Sequence, residues 1–200
     1  MNVLILGGFL GSGKTTLLLK LIERVRQRSN KDIPVAILEN EIGSVGIDDA
    51  LIASQGYQVS TMLSGCACCT LAGELPEAVM GIERDLDPEL LIIEATGVAV
   101  PSVMAENLYK TMGVTAQICA VVDASRWRRM QKPLEVLLRQ QLRGCDVICL
   151  NKADLVDEDE LAYVQETLDV YDNSALRIVT RADDGLSDTA VAAIMGWDAS

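Results

Sequence analysis

The sequence has no histidine among its 200 residues, and aromatic residues make up only 4% of it. Without imidazole, one chain cannot build the histidine-rich site that suits Ni²⁺, although a nickel site made of thiolates stays open. With so few aromatic rings, a core must be built mainly from Leu, Ile, Val and Ala. This composition is typical of an α/β protein with a buried sheet.

Long apolar runs and net positive charge are also lacking. The run after Met1 breaks at glycines after about five residues, which is too short for a secretion signal or a membrane span. The formal net charge of −12 disfavours nucleic acid and anionic membrane surfaces as partners. We interpret the one short basic cluster, RWRR at 126–129, as the solvated face of a helix. We therefore expect a cytoplasmic protein with reduced thiols and with no nucleic-acid or membrane partner.

Short apolar runs alternate with amphipathic segments along the chain. Nearly continuous Val, Ile and Leu predict strands covered on both faces at 2–7, 33–39, 90–95, 117–123, 146–151 and 175–180, with a weaker candidate at 57–63. Helical patterns cover 14–28, 71–86, 101–112, 133–143, 158–171 and 187–195. The alternation predicts a doubly wound, mostly parallel sheet with helices on both faces, in one domain over 1–200. Ligand sites should lie at the carboxyl ends of its strands.

The stretch GFLGSGKT, from Gly8 to Thr15, matches the phosphate-binding loop pattern G-x-x-x-x-G-K-[ST] between a strand and a helix. The glycines let backbone N–H groups wrap the β-phosphate, and the helix N-terminus adds positive potential. Lys14 would neutralise β- and γ-phosphate oxygens, and the Thr15 hydroxyl would bind Mg²⁺. The predicted phosphate-binding residues are Gly8, Gly11, Ser12, Gly13, Lys14, Thr15 and Thr16. A chance glycine-rich turn is the alternative.

The stretch NKAD directly follows a predicted strand and supplies a candidate base site made of Asn151, Lys152 and Asp154. A carboxylate there can accept two hydrogen bonds from guanine, and adenine lacks both donors. The predicted nucleotide is therefore GTP or GDP. The alternative is an Asn/Asp turn that caps the helix predicted at 158–171.

Between these two sites, LIIEATG places Glu94 and Gly97 at and just past the end of a strand. Glu94 could hold the Mg²⁺ shell or position the attacking water, and the Gly97 N–H could sense the γ-phosphate. With Lys14, these two form the predicted catalytic set. An ordinary helix-capping role is the alternative for Glu94.

Three cysteines, Cys66, Cys68 and Cys69, stand within four positions in SGCACCTL. A disulfide is the poorest interpretation, because adjacent cysteines form a strained ring and the expected compartment is reducing. Burial as small apolar side chains and binding of a soft metal ion both stay open. Burial better accounts for the other three cysteines, which lie in or beside apolar strands: Cys119, Cys145 and Cys149.

In their order along the chain, GFLGSGKTTLL, ENEIGSVGIDDALI, SGCACCTL, LIIEATGVAVP and VICLNKADL resemble the GTPase domain of CobW-type metallochaperones, P-loop NTPases whose wider kin include nickel-insertion GTPases. The resemblance covers about residues 1–180. It implies slow GTP hydrolysis and delivery of a transition metal, or of a metal cofactor such as a corrinoid, to a client enzyme. A partner or a nucleotide-dependent homodimer could supply a missing catalytic group.

The resemblance also implies a metal site. Its ligands would be Cys66, Cys68 and Cys69 with Glu39 as an oxygen ligand, and Glu41 could instead lie near Mg²⁺. Three sulfurs with Glu39 or water make a soft tetrahedral site, which suits Zn²⁺ best, with Cu⁺ and Co²⁺ as alternatives. Two features depart from the family pattern. Ser44 stands where an acidic residue is usual, and the usual C-terminal domain is not found in these 200 residues.

Two other functional classes compete with this interpretation. One is a metal- or redox-responsive nucleotide switch without a delivery role, which would bind metal tightly and hydrolyse almost no GTP. The other is a P-loop kinase for a small molecule. The NKAD stretch and the lack of an arginine-rich lid argue against a kinase.

Overall fold

The structure, a computed structural model, describes residues 1–39, 58–61, 71–181 and 185–197. In this part of the chain the strands are β1 (Asn2–Gly8), β2 (Val35–Glu39), β3 (Gln58–Thr61), β4 (Leu90–Glu94), β5 (Ala116–Asp123), β6 (Val147–Asn151) and β7 (Leu176–Val179). The helices are α1 (Lys14–Arg28), α2 (Leu71–Leu86), α3 (Pro101–Met112), α4 (Trp127–Gln131), α5 (Glu135–Leu142), α6 (Glu158–Leu168) and α7 (Asp188–Met195).

The strands form one parallel sheet in the order β3-β2-β4-β1-β5-β6-β7. The chain starts at the centre with β1, moves outward to β2 and β3, returns with β4, and then crosses to the other side with β5. This course confirms the predicted doubly wound fold. It also gathers the loops after β1, β4, β5 and β6 at one edge of the sheet, where ligands of such folds bind.

Both faces of the sheet are buried, which explains why its strands read as continuous apolar runs. Side chains alternate between faces along a strand. In β1, Leu4 and Leu6 pack against α1 and α7, whereas Val3 and Ile5 face the α2 and α3 side. A third apolar cluster joins β5 and β6 to α4, α5 and α6.

The predicted elements agree with the observed ones to within a few residues. The weaker candidate at 57–63 is confirmed as β3, which pairs with β2 at the edge of the sheet. No helix among the described residues has both the length and the apolar stretch that crossing a bilayer requires.

The interpretation of RWRR at 126–129 as a solvated helix face is wrong for its tryptophan. Trp127 is fully buried, its Nε1 donates to Thr167 Oγ1 at 2.8 Å, and its ring meets Tyr171 edge-on. The arginines around it are exposed, and the guanidinium carbon of Arg128 lies 3.7 Å from the centre of the Tyr163 ring. The cluster therefore anchors α4 to α6, because the apolar residue inside the basic run belongs to the core.

Candidate functional site

The phosphate loop connects β1 to α1 and depends on glycine at defined places. Gly8, Gly11 and Gly13 have φ of 133°, 74° and 100°, a region that side-chain-bearing residues rarely adopt. A Cβ on Gly8 would lie 2.4 Å from the Val121 carbonyl oxygen. A Cβ on Gly13 would lie 2.2 Å from Asn151 Nδ2. The loop pattern predicted from the sequence is therefore required by the backbone.

Lys14 lies inside the loop, where the predicted phosphate contact requires it. Its Nζ donates to the carbonyls of Gly8 (3.1 Å) and Phe9 (3.4 Å) and lies 3.9 Å from Glu94 Oε1. Lys14 is also the first residue of α1, whose first turn carries no acidic side chain. The positive end of the helix dipole therefore meets no carboxylate from that turn, which favours an anionic ligand at the loop.

The first turn of α1 also carries two predicted ligand residues. Thr15 is partly buried and Thr16 is exposed. The buried hydroxyl of Ser12, in the loop itself, has no hydrogen-bond partner among the described residues, and neither has the hydroxyl of Thr96 in the loop after β4. Buried hydroxyls without partners are costly. A ligand rich in oxygen atoms would give both of them partners.

Glu94 and Gly97 lie where the sequence predicts them. Glu94 is the last residue of β4 and is in register with Leu6 of β1. Gly97 lies against the phosphate loop, because a Cβ there would be 3.5 Å from the Leu10 nitrogen. The structure thus brings Lys14, Glu94 and Gly97 together beside the phosphate loop.

The predicted base site is fastened to the phosphate loop. Asn151, the last residue of β6, donates from Nδ2 to the Ser12 carbonyl (2.9 Å) and accepts at Oδ1 from Thr180 Oγ1 (3.0 Å). Lys152, with φ of 61°, donates from Nζ to the Gly11 carbonyl (2.6 Å) and to Asp123 Oδ2 (2.7 Å). Asn151 and Lys152 therefore join the two predicted sites directly.

Asp154 stands in a 3₁₀ turn, 153–155, and is exposed. The alternative interpretation of NKAD, a cap for the following helix, is wrong. The N-cap of α6 is Asp157, whose Oδ1 accepts from the Glu160 N–H at 2.8 Å.

Four residues near the site carry interactions that the sequence did not predict. Asp123, at the end of β5, holds Lys152 while its other oxygen accepts from the backbone and hydroxyl of Ser125. Thr180 follows β7, and Gln141 is a buried residue of α5. Arg126 donates from Nη1 to the Leu10 carbonyl at 3.2 Å. The sequence signal for Asp123 was a carboxylate ending an apolar strand.

Cys119, Cys145 and Cys149 are buried, which confirms their predicted packing role. Cys119 Sγ lies 3.6 Å from Cys149 Sγ. The hydrogen bond with Cys149 and burial raise the pKa of Cys119 well above its ordinary value. Burial raises the pKa of Cys145 to about 12. Thiols of this kind are poor nucleophiles and poor metal ligands.

The residues predicted to hold a transition metal cannot be placed in the same way. Cys66, Cys68 and Cys69 lie outside the described residues, as do Glu41 and Ser44. Glu39 ends β2, in register with Glu94 of β4. Within the described ranges, no group of three or more Cys, Asp or Glu is arranged to hold a metal ion.

We expect the three buried thiols to resist labelling in the native protein. In a Cys66/Cys68/Cys69→Ser variant, a thiol reagent such as DTNB should react with none of Cys119, Cys145 and Cys149 at about pH 8, because their side chains are buried away from the reagent. All should react after unfolding in guanidinium chloride. Fast labelling before unfolding would contradict the burial of these side chains.

Comparisons with known proteins identify relatives of this chain. The family profile described as "CobW/HypB/UreG, nucleotide-binding domain" matches residues 2–178. The zinc chaperone YjiA of Escherichia coli (strain K12) is 32% identical over an alignment of 168 positions that covers 79% of this chain and 51% of that protein. The zinc-regulated GTPase metalloprotein activator 1 of Dictyostelium discoideum is 28% identical over an alignment of 206 positions that covers 82% of this chain and 42% of that protein.

Solved structures share the fold. HypB from Helicobacter pylori, in complex with nickel, superposes with a TM-score of 0.66 at 18% identity, over 98% of this chain and 84% of that one. The chain spans about half the length of the curated relatives that it matches.

Proposed function

The chain belongs to the CobW/HypB/UreG family of nucleotide-binding domains and is a P-loop GTPase domain, and on that premise we propose a function for it. It binds GTP, hydrolyses it slowly and binds a transition metal ion, foremost Zn²⁺, for delivery to a client metalloenzyme or cofactor-dependent enzyme. Residues 1–200 act as one domain in this role. The observation that carries the proposal is the junction of Asn151 and Lys152 with the phosphate loop, which sets a base turn at a fixed place beside a phosphate site.

Asp154 would select guanine. Its carboxylate is exposed in the turn that follows Lys152, so it can accept from N1–H and the 2-amino group of a base stacked against the lysine stem. An adenine base offers neither donor and leaves the carboxylate unpaired. The fixed neighbours of this turn support discrimination by pre-organisation.

Mg²⁺ would be held with the nucleotide. The Thr15 hydroxyl and the Glu94 carboxylate are hard oxygen donors of the kind that Mg²⁺ prefers, and both belong to segments that border the cleft. Glu41 is a further candidate ligand. When bound, the ion would neutralise charge on the β- and γ-phosphates. Lys14 would act on the same oxygens, and the Gly97 N–H would contact the γ-phosphate.

We expect slow turnover because Arg126, which reaches the phosphate loop, is engaged at its rim. The Arg126 guanidinium donates to the Leu10 carbonyl on the exposed rim of the phosphate loop. An arginine in the cleft can accelerate phosphoryl transfer by orders of magnitude. We infer that a partner, or a second copy of the chain, supplies the missing charge. Leu10 and Val98, which are 84% and 59% exposed, present apolar surface beside the loop that such a partner would cover.

The metal part of the proposal concerns Cys66, Cys68, Cys69 and Glu39. It is supported by the relatives of the chain, which include zinc chaperones. Three thiolates and one oxygen make a tetrahedral set that suits Zn²⁺. The three buried cysteines are poor competitors for the ion because their side chains are enclosed in the core. Delivery of a corrinoid or other metal cofactor is the broader form of the same role.

A metal titration tests this proposal. The reduced, metal-free protein would be titrated with Co²⁺ and Zn²⁺ in the presence of a GTP analogue or GDP. We expect one metal ion per chain, thiolate-to-Co²⁺ absorption and an affinity that differs between the two nucleotides, since only differential binding couples two sites. The Cys66/Cys68/Cys69→Ser variant should lose the absorption.

The matched control is Cys145→Ala, which removes a buried thiol and should keep the metal site. Metal binding that survives the triple substitution would refute the proposed ligands. Tight metal binding with no GTP hydrolysis, even with candidate clients, would favour the switch without a delivery role.

A further inference from the structure

Gln141 is a buried glutamine whose side-chain oxygen and nitrogen both form hydrogen bonds. It is 1% exposed. Its Oε1 accepts from the Gly8 N–H at 2.9 Å, and its Nε2 donates to the Ala99 carbonyl. A neutral carboxamide can accept at one end and donate at the other without bringing a charge into the core. The side chain thus bridges the first residue of the phosphate loop and the loop after β4.

This bridge lies at the edge of the sheet where the pairing of β1 with β4 ends. The pairing of β1 with β4 runs to Leu6 and Glu94, and the Ala95 N–H donates to the Leu6 carbonyl at 3.0 Å. Beyond this point β1 and β4 diverge beside the phosphate loop. Gln141 enters from α5 and connects backbone groups that no longer face each other. Such groups must find partners when they are buried.

The surroundings of the bridge leave little room for adjustment. A Cβ on Gly7 would lie 2.8 Å from Pro101 Cγ and 3.5 Å from Gln141 Oε1. The thiol of Cys145 donates to the Gln141 backbone carbonyl at 3.4 Å, which holds the end of α5. In tightly packed regions a displacement is transmitted rather than absorbed.

The Ala99 end of the bridge is the end that can move with the nucleotide. The Ala99 N–H donates to the Thr96 carbonyl at 3.0 Å, so a tight turn encloses Gly97. If the Gly97 N–H shifts to meet a γ-phosphate, the turn carries Ala99 with it. The Gly8 end stays fixed, because Gly8 is in register with Val121 in the sheet.

We propose that Gln141 is a positioning residue that sets Gly97 relative to the phosphate loop and thereby favours GTP over GDP. This inference rests on the proposed γ-phosphate contact of Gly97. GDP has no γ-phosphate, so its binding makes little use of the bridge. Loss of the bridge should therefore lower affinity for a GTP analogue much more than affinity for GDP.

The first test compares Gln141→Met with Gln140→Met. Methionine at 141 keeps the volume and removes both polar ends. Gln140 is the exposed neighbour on the same helix. We expect Gln141→Met to lower affinity for a non-hydrolysable GTP analogue about 10-fold or more while affinity for GDP stays within about 3-fold. Gln140→Met should change neither. Thermal unfolding without nucleotide would show that each variant is folded.

Gln141→Glu separates the bridge from simple packing. A protonated carboxyl can still donate to Ala99 and accept from Gly8, whereas a carboxylate would repel the Ala99 carbonyl. The ratio of GTP-analogue to GDP affinity should match wild type at about pH 6 and fall about 10-fold by about pH 9, with Gln140→Glu as the charge control. The neighbouring Cys145 thiol, whose pKa burial raises to about 12, does not titrate in this range.

Equal losses for both nucleotides, or no loss in Gln141→Met, would overturn the role of Gln141. Failure of the proposed function would look different, because the wild-type protein would then bind adenine nucleotides more tightly than guanine nucleotides. In that case the same ratio measured with an ATP analogue and ADP would still decide the role of Gln141.

Discussion

Replacing Asp154 with asparagine is expected to weaken GTP binding about 100-fold or more and to raise affinity for XTP. The carboxylate would lose two charge-assisted hydrogen bonds to guanine, each worth about 1.5–3 kcal/mol. The asparagine amide would place a donor against the guanine 2-amino group. In xanthine a carbonyl oxygen stands at that position, so the same donor finds an acceptor there.

Isothermal titration with GTP, XTP and ATP would measure this exchange of preference. Asp159→Asn is the matched control, since it makes the same change of charge at an exposed position of α6, two residues into that helix. It should leave GTP affinity within about 3-fold of wild type, as expected for an exposed charge that is not part of the proposed base contact. An Asp154→Asn protein that binds GTP normally would show that this carboxylate does not contact the base.

Gly8→Ala is expected to destabilise the protein by about 3 kcal/mol or more and to abolish nucleotide binding. The added methyl group would lie 2.4 Å from the Val121 carbonyl oxygen, which belongs to the backbone of the adjacent strand and cannot rotate away. The φ of 133° adds backbone strain for any residue with a Cβ. The only relief is to part β1 from β5 at the start of the phosphate loop.

Chemical denaturation with urea would measure the loss of stability. The matched control is Gly81→Ala, the same substitution in α2 at a position where, among the described residues outside the local helix backbone, no atom lies within 4 Å of the new methyl group. It should stabilise the protein by about 0.5–1 kcal/mol, because alanine is the better helix former. Equal stability of the two variants would contradict the close approach of β1 to β5.

The elements that bury apolar side chains were predictable because their signal is local. Continuous Val, Ile and Leu indicated the strands, and the fixed spacing of GFLGSGKT indicated the phosphate loop. Trp127 was not predictable in the same way. Its partners Thr167 and Tyr171 come from α6 and the turn after it, so the basic residues beside Trp127 dominated the local pattern.

The hydrogen bonds that connect the parts of the site could not be predicted from local sequence patterns either. Asn151 meets Thr180 across 29 positions of the sequence, and Gln141 meets Gly8 across 133. Such contacts depend on how neighbouring strands and helices are arranged, which no short motif encodes. NKAD predicted a base site, and that stays a prediction, but the pattern did not show that Asn151 would bind the phosphate loop and Thr180 of the protein itself.

The attachment of the base turn to the phosphate loop has a consequence for affinity. Lys152 and Asn151 hold the two proposed half-sites on one rigid frame, so a ligand that spans both would gain the advantage of a chelate. Once its phosphates were bound, the base would be presented to Asp154 at a high effective concentration. Guanosine alone and triphosphate alone should each bind weakly. Joined in one molecule, they should bind far more tightly than either fragment.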